Sequence, residues 1–222
     1  MSVPVDAATD RRPAPRKPVV VVTGATGGAG AMVTRHFLAQ GAHVIGMGLR
    51  PVPGLPLGAL WIEADLTSAV ERRHALETLR RTAGRIDTLV GTLAPDPAPV
   101  PFASPLFSGL PPSEPGSTDL SPTILLCSEA VPLLRKSTRP LILTVCPARG
   151  DARLPLALYQ TMKCGFGAFS TTLRNTLART SIRVVTVSVP GNGTDLTSEV
   201  IAGIMRRADR GETDIQIKRV SR

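Results

Sequence analysis

Four consecutive valines running into a cluster of glycines are the most constraining feature of this 222-residue chain: Pro18-Val19-Val20-Val21-Val22-Thr23-Gly24-Ala25-Thr26-Gly27-Gly28-Ala29-Gly30. β-Branched side chains favour extended backbone. A continuously apolar run, without alternation, is expected of a strand buried on both faces. The glycines permit a tight turn, and residues 28–40 then have the spacing of a helix, closed by Gly41. A strand buried on both sides needs a layer of helices above and below it.

The rest of the chain repeats that alternation. Strands are predicted at 42–47, 60–63, 86–90, 141–146, 182–189 and 214–218, and helices at 67–83, 120–136, 156–178 and 195–210. Pro122 and Pro132 disturb the third of the five helices. The pattern predicts a single α/β domain over 18–222, doubly wound around a mainly parallel seven-stranded sheet with helices on both faces. Residues 1–17 read as a flexible, basic, proline-broken tail with no apolar core, so a secretory signal is not expected and a cytoplasmic location is. Eight prolines between Pro95 and Pro115 mark 94–118 as a long proline-rich loop.

Composition excludes several function classes. No apolar run approaches the ~20 residues of a membrane span. Three cysteines without close spacing make neither a disulfide framework nor a zinc ribbon, and His36, His43 and His74 have no metal-like spacing. Cys127 and Cys164 read as core residues on helices. The net charge of +9 invites a nucleic-acid reading, but the twenty-two arginines are scattered and aromatics make up only 3% of the chain. Neither a long basic run nor a stacking platform is present, so no nucleic-acid partner is expected.

The turn after the first strand is a candidate phosphate site. Gly24 allows the turn, Gly28 lets backbone approach a pyrophosphate, and Gly30 lets the helix close on the strand. The helix start offers free N–H groups to the anion. At the end of the second strand an acid would select NAD through the ribose 2′-hydroxyl. Gly48 stands there instead, with Arg50 nearby, which suits the 2′-phosphate of NADP.

The only tyrosine, Tyr159, precedes one of four lysines, Lys163, by one helical turn. An ammonium beside a phenol favours the phenolate and lowers its pKa from ~10. Such a tyrosine can pass a proton to or from a substrate oxygen.

These residues, in this order, resemble the short-chain dehydrogenase/reductase family: TGATGGAG at 23–30, Ala64-Asp65-Leu66, Gly84-Arg-Ile-Asp-Thr-Leu-Val90, Tyr159-x3-Lys163, and Pro190-Gly191 followed by Thr194. The resemblance covers about residues 18–218 and implies a Rossmann-type fold. It implies that Gly24, Thr26, Gly28 and Gly30 cradle the cofactor phosphates, and that Asp65 and Leu66 border the adenine. By the same resemblance Lys163 holds the nicotinamide ribose, Tyr159 is the acid/base, and Pro190, Gly191 and Thr194 lie beside the nicotinamide. Homodimers or homotetramers through the long central helices are usual for such folds, an expectation that Pro122 and Pro132 weaken.

The departures from the family pattern gather around catalysis. Asn-Asn-Ala-Gly is usual after the fourth strand, where this chain has Gly91-Thr92-Leu93-Ala94. Cys146 stands at the usual serine position, and a thiol is a weaker donor than a hydroxyl. Asp119 stands at the usual asparagine position. The insertion that usually follows the Pro-Gly turn is almost absent. Three readings follow: an NADP(H)-dependent reductase of a small carbonyl or enone compound, a non-redox enzyme on the same fold using Tyr159 or Cys146, and a non-catalytic binding or partner subunit.

Overall fold

The computed structural model describes residues 16–49, 54–92, 121–147, 156–189 and 196–217. The seven strands are β1 (Val19–Thr23), β2 (His43–Gly48), β3 (Leu60–Glu63), β4 (Thr88–Thr92), β5 (Leu141–Pro147), β6 (Arg183–Val189) and β7 (Asp214–Gln216). They form one sheet in the order β3-β2-β1-β4-β5-β6-β7, and every pairing is parallel. The doubly wound architecture expected from the sequence is therefore present. The order reverses direction between β1 and β4, which creates a switch point at the C-terminal ends of those strands.

Successive valines of β1 divide between two cores. Val19 and Val21 join Ile45, Met47, Leu79, Leu126 and Ile142 on one face. Val20 and Val22 join Val33, Phe37, Val44, Leu143 and Ile204 on the other. This is the physical content of an unalternating run: period-two geometry sends its side chains to opposite faces, and both faces are dry.

The helices α1 (Gly28–Ala39) and α6 (Ser198–Asp209) cover the second face, while α2 (Ala69–Thr82) and α3 (Ser121–Glu129) cover the first. The Ser68 hydroxyl accepts from the Glu71 amide to start α2, and Gly84, at φ +75°, ends it by donating to the Leu79 carbonyl. The single helix expected over 120–136 is interrupted. After α3 the chain turns at Ala130 into the short α4 (Val131–Leu134), because Pro132 has no N–H and fits only a helix's first turn. The long α5 (Leu156–Leu177) follows β5. Cys127 is buried as expected, and burial pushes its thiol up to about 12. Cys164 is a correction: it is exposed, on the outer face of α5.

Asp87 ties three strand entrances together. Its carboxylate accepts from the Val19 amide at 2.7 Å, from the Ser137 hydroxyl at 2.6 Å and from Arg85. Burial alone would raise its pKa, but the Ser137 hydroxyl, the Val19 amide and Arg85 together outweigh it and the pKa lies below its usual value. A depressed folded pKa contributes stability above the unfolded value of ~4 that is lost as pH falls through the folded pKa. Urea unfolding followed against pH should show Asp87→Asn less stable than wild type at neutral pH by about 1–3 kcal/mol. The difference should shrink as pH falls below about 4; an undiminished difference at pH 3 would show that the carboxylate charge is not involved.

Candidate functional site

At the switch point the chain leaves β1 through Gly24, at φ +66°, and the Gly27 amide donates to the Gly24 carbonyl. A Cβ on Gly30 would overlap that same carbonyl oxygen, so only glycine lets α1 begin this close to β1. A Cβ on Gly24 would collide with the Thr92 hydroxyl. Thr92, at the end of β4, clasps the turn from the other side. Its hydroxyl donates to the Thr23 carbonyl at 2.6 Å, and its amide donates to the Thr23 hydroxyl at 3.3 Å.

The start of α1 has no side-chain cap. Its first amides therefore have no side-chain acceptor at the cap among the described residues, on a helix end with partial positive charge. An uncapped helix start behind a glycine turn is chemically suited to an anion such as the diphosphate of a dinucleotide, and Gly30 is what lets that helix start close against β1. Thr26 belongs to this same turn, and its carbonyl lies near Gly54 of the β2–β3 connection.

Asp65 and Leu66 directly follow β3 and are held in place by side chains that the sequence did not single out. Buried Arg72 donates to the carbonyls of Leu66 and Thr67 at 2.7 and 3.0 Å and pairs with Glu129 of α3 at 3.1 Å. The Asp65 carboxylate accepts from the Thr67 amide and hydroxyl, and its amide donates to Glu71. The guanidinium thus fastens the Asp65–Leu66 turn to the helix layer.

The end of β2 is finished by an aromatic ring. Gly48, which stands where an acid would select NAD, lies against Trp61 of β3, and a Cβ there would approach the indole at 3.3 Å. At Gly46 the ring leaves even less space, 2.8 Å. The Trp61 indole N–H is buried and has no hydrogen-bond partner among the described residues. Arg50 lies outside the described residues.

Cys146 sits near the end of β5, buried, with the Ser188 hydroxyl of β6 at 3.6 Å from its Sγ. Cys146 and Ser188 are register partners. One step deeper on the same side, Thr144 contacts Thr186 at 3.1 Å and Ser170 of α5 at 3.4 Å. These hydroxyls tie α5 to the two strands. Tyr159 and Lys163 lie on the backbone of α5, toward its N-terminal end, at helical spacings from Phe166 and Ser170. Their side chains lie outside the described residues. Because β5 and β6 are parallel, the helix between them runs back antiparallel and brings its N-terminal half to the C-terminal end of β5. Asp119, Pro190, Gly191 and Thr194 lie outside the described residues; Pro190 directly follows β6.

Fold, switch point and glycine turn together define a doubly wound α/β protein of dinucleotide-binding architecture. Comparison with known proteins makes this specific: the family model for short chain dehydrogenase matches residues 18–204, and the chain belongs to that family of oxidoreductases. It is 30% identical over 179 residues to L-fucose dehydrogenase of Oryctolagus cuniculus, an alignment covering 78% of this chain and 62% of that protein. The chain thus matches less than two thirds of that relative's length.

Many solved structures share the fold. The 3-ketoacyl-(acyl-carrier-protein) reductase of Brucella melitensis, complexed with NADH, superposes with a TM-score of 0.71 at 19% identity, covering 90% of this chain and 96% of that one. A metagenomic short-chain oxidoreductase in complex with NADP gives 0.71 at 24%, covering 92% and 98%. Among the described residues no helix is long and apolar enough to cross a membrane.

The turn geometry separates two neighbouring glycines. Gly30→Ala should lower stability by about 1–3 kcal/mol through overlap with the Gly24 carbonyl. Gly27→Ala, whose Cβ meets nothing within 4 Å, should stay within about 0.5 kcal/mol of wild type. Thermal unfolding of both variants checks this, and equal losses would show that the contact is not the constraint.

Proposed function

We propose that this protein is an NADP(H)-dependent oxidoreductase acting on the carbonyl or enone group of a small molecule, with Tyr159 as proton donor and acceptor. The observation that carries the reading is the uncapped start of α1 behind Gly24, Gly28 and Gly30, at the same sheet edge as Cys146 and the helix of Tyr159 and Lys163. The bound cofactor supplies or accepts the hydride. Lys163 holds the nicotinamide ribose, and Tyr159 moves the proton at the substrate oxygen. Asp65 and Leu66 border the adenine. Arg50 answers the 2′-phosphate, and the absence of an acid at Gly48 supports NADP over NAD. Pro190, Gly191 and Thr194 line the nicotinamide side, and Asp119 takes the place of the asparagine usual in the family.

The serine that usually polarises the substrate carbonyl is Cys146 here. Its register partner Ser188 keeps a hydroxyl 3.6 Å away, at the same edge of the sheet, and takes over that hydrogen bond in our reading. A hydroxyl is a stronger donor than a thiol and can point at a developing oxyanion.

The test combines binding and turnover. NADPH should bind more tightly than NADH in a fluorescence titration. Tyr159→Phe should leave binding intact and lower kcat by about 100-fold or more. Ser188→Ala should lower kcat/KM by about 10- to 100-fold, and Cys146→Ser should preserve or raise it. Failure of both nicotinamide cofactors to bind would instead favour a partner subunit. Native activity that survives Tyr159→Phe but is abolished by Cys146→Ser would favour non-redox chemistry at the thiol.

A further inference from the structure

A cavity of about 780 Å³ opens at the end of the sheet opposite the glycine turn. Its floor is made by the residues that lead into β1, β4, β5 and β6, and its walls by the last turns of α1 and α6. Six cations line it: Arg16, Arg85, Lys136, Arg139, Arg183 and Arg206. The acids that line it are Asp87 and Asp209, leaving a formal excess of four positive charges. Both acids are already engaged. Asp87 is occupied by Val19, Ser137 and Arg85. One oxygen of Asp209 accepts from Arg139 at 2.9 Å and Arg183 at 2.8 Å. Arg16, Lys136 and Arg206 have no acidic partner among the described residues.

The cavity is not uniformly polar. Phe37 and Met205 contribute an apolar wall beside the cations, and the lining His36 ring has its pKa lowered by burial, with its Nδ1 2.7 Å from the Ser198 hydroxyl. Concentrated positive charge in a concave, low-dielectric cleft attracts multiply charged anions far more strongly than the same charges spread on a convex surface. Guanidinium and ammonium groups are also the side chains that recognise phosphate.

We propose that this cavity binds a small organic polyphosphate, its phosphates held by Arg16, Lys136 and Arg206 and its organic body against Phe37 and Met205. This ligand is separate from the dinucleotide of the glycine turn, since the two sites lie at opposite ends of the parallel strands. The volume is that of a site for a nucleotide-sized molecule.

The test is calorimetric titration of ATP and of inorganic tripolyphosphate into the full chain saturated with NADPH, at about 50 mM and about 500 mM salt. The expected result is one saturable site for each, tighter for ATP, and weakened strongly by salt. The double variant Lys136→Ala/Arg206→Ala changes two exposed side chains that make no side-chain hydrogen bond among the described residues, and circular dichroism verifies its fold. It should bind ATP at least about tenfold more weakly. The absence of saturable ATP binding, wild-type affinity in the double variant, or displacement of ATP by NADPH would each overturn the proposal. ATP binding no tighter than tripolyphosphate would overturn the assignment of the apolar wall. If NADPH itself fails to bind, the cofactor reading fails while the ATP titration still decides this site.

Discussion

A backbone carbonyl with no side chain in front of it organises this molecule. The Gly24 oxygen receives the Gly27 amide and lies where any Cβ at position 30 would have to be. Without glycine at both places α1 could not start so close to β1, and its free amides would not open onto the C-terminal edge of the sheet. Thr92 reinforces the arrangement by hydrogen-bonding Thr23 across the switch point. The clasp couples two strands 69 residues apart at the one place where the sheet order reverses.

The two ends of the parallel strands then acquire different chemistry. At the C-terminal edge lie uncapped amides, the Asp65–Leu66 turn held by Arg72, and the Cys146–Ser188 pair. At the N-terminal edge arginines gather around Asp87 and Asp209, which also secure the strand entrances. Parallel topology produces this separation, because every strand contributes its beginning to one edge and its end to the other.

The order of elements was readable almost throughout, since β1 and the central strands β4 and β5 are continuously buried, mainly apolar runs suited to a sandwiched sheet, while the edge strands β3 and β7 are partly exposed. The break in the third helix was visible only as a pair of prolines. The structure shows that Pro132 opens a new short helix after Ala130. Cys164 departs from the expected core position because helical residues of long amphipathic segments look alike in sequence until the sheet chooses a face. The cofactor turn was legible because glycine has few substitutes there. Arg72, Thr92, Trp61 and Ser188 carried no signal: an arginine among twenty-two, a threonine or serine in a strand, and a lone tryptophan have no local pattern that reports a long-range partner.

By itself, the sequence determined that this chain winds helices on both faces of a parallel sheet and belongs among the short-chain dehydrogenases. Periodicity and glycine placement are local properties, and they survive without knowledge of distant contacts. The tertiary structure alone decided what stands beside what: the Ser188 hydroxyl next to the thiol in the usual serine's place, the Trp61 ring over Gly46 and Gly48, and six scattered cations facing one cavity. Each of these arises from register between non-adjacent strands or from the packing of helices far apart in the chain, and neither is encoded in the spacing of neighbouring residues.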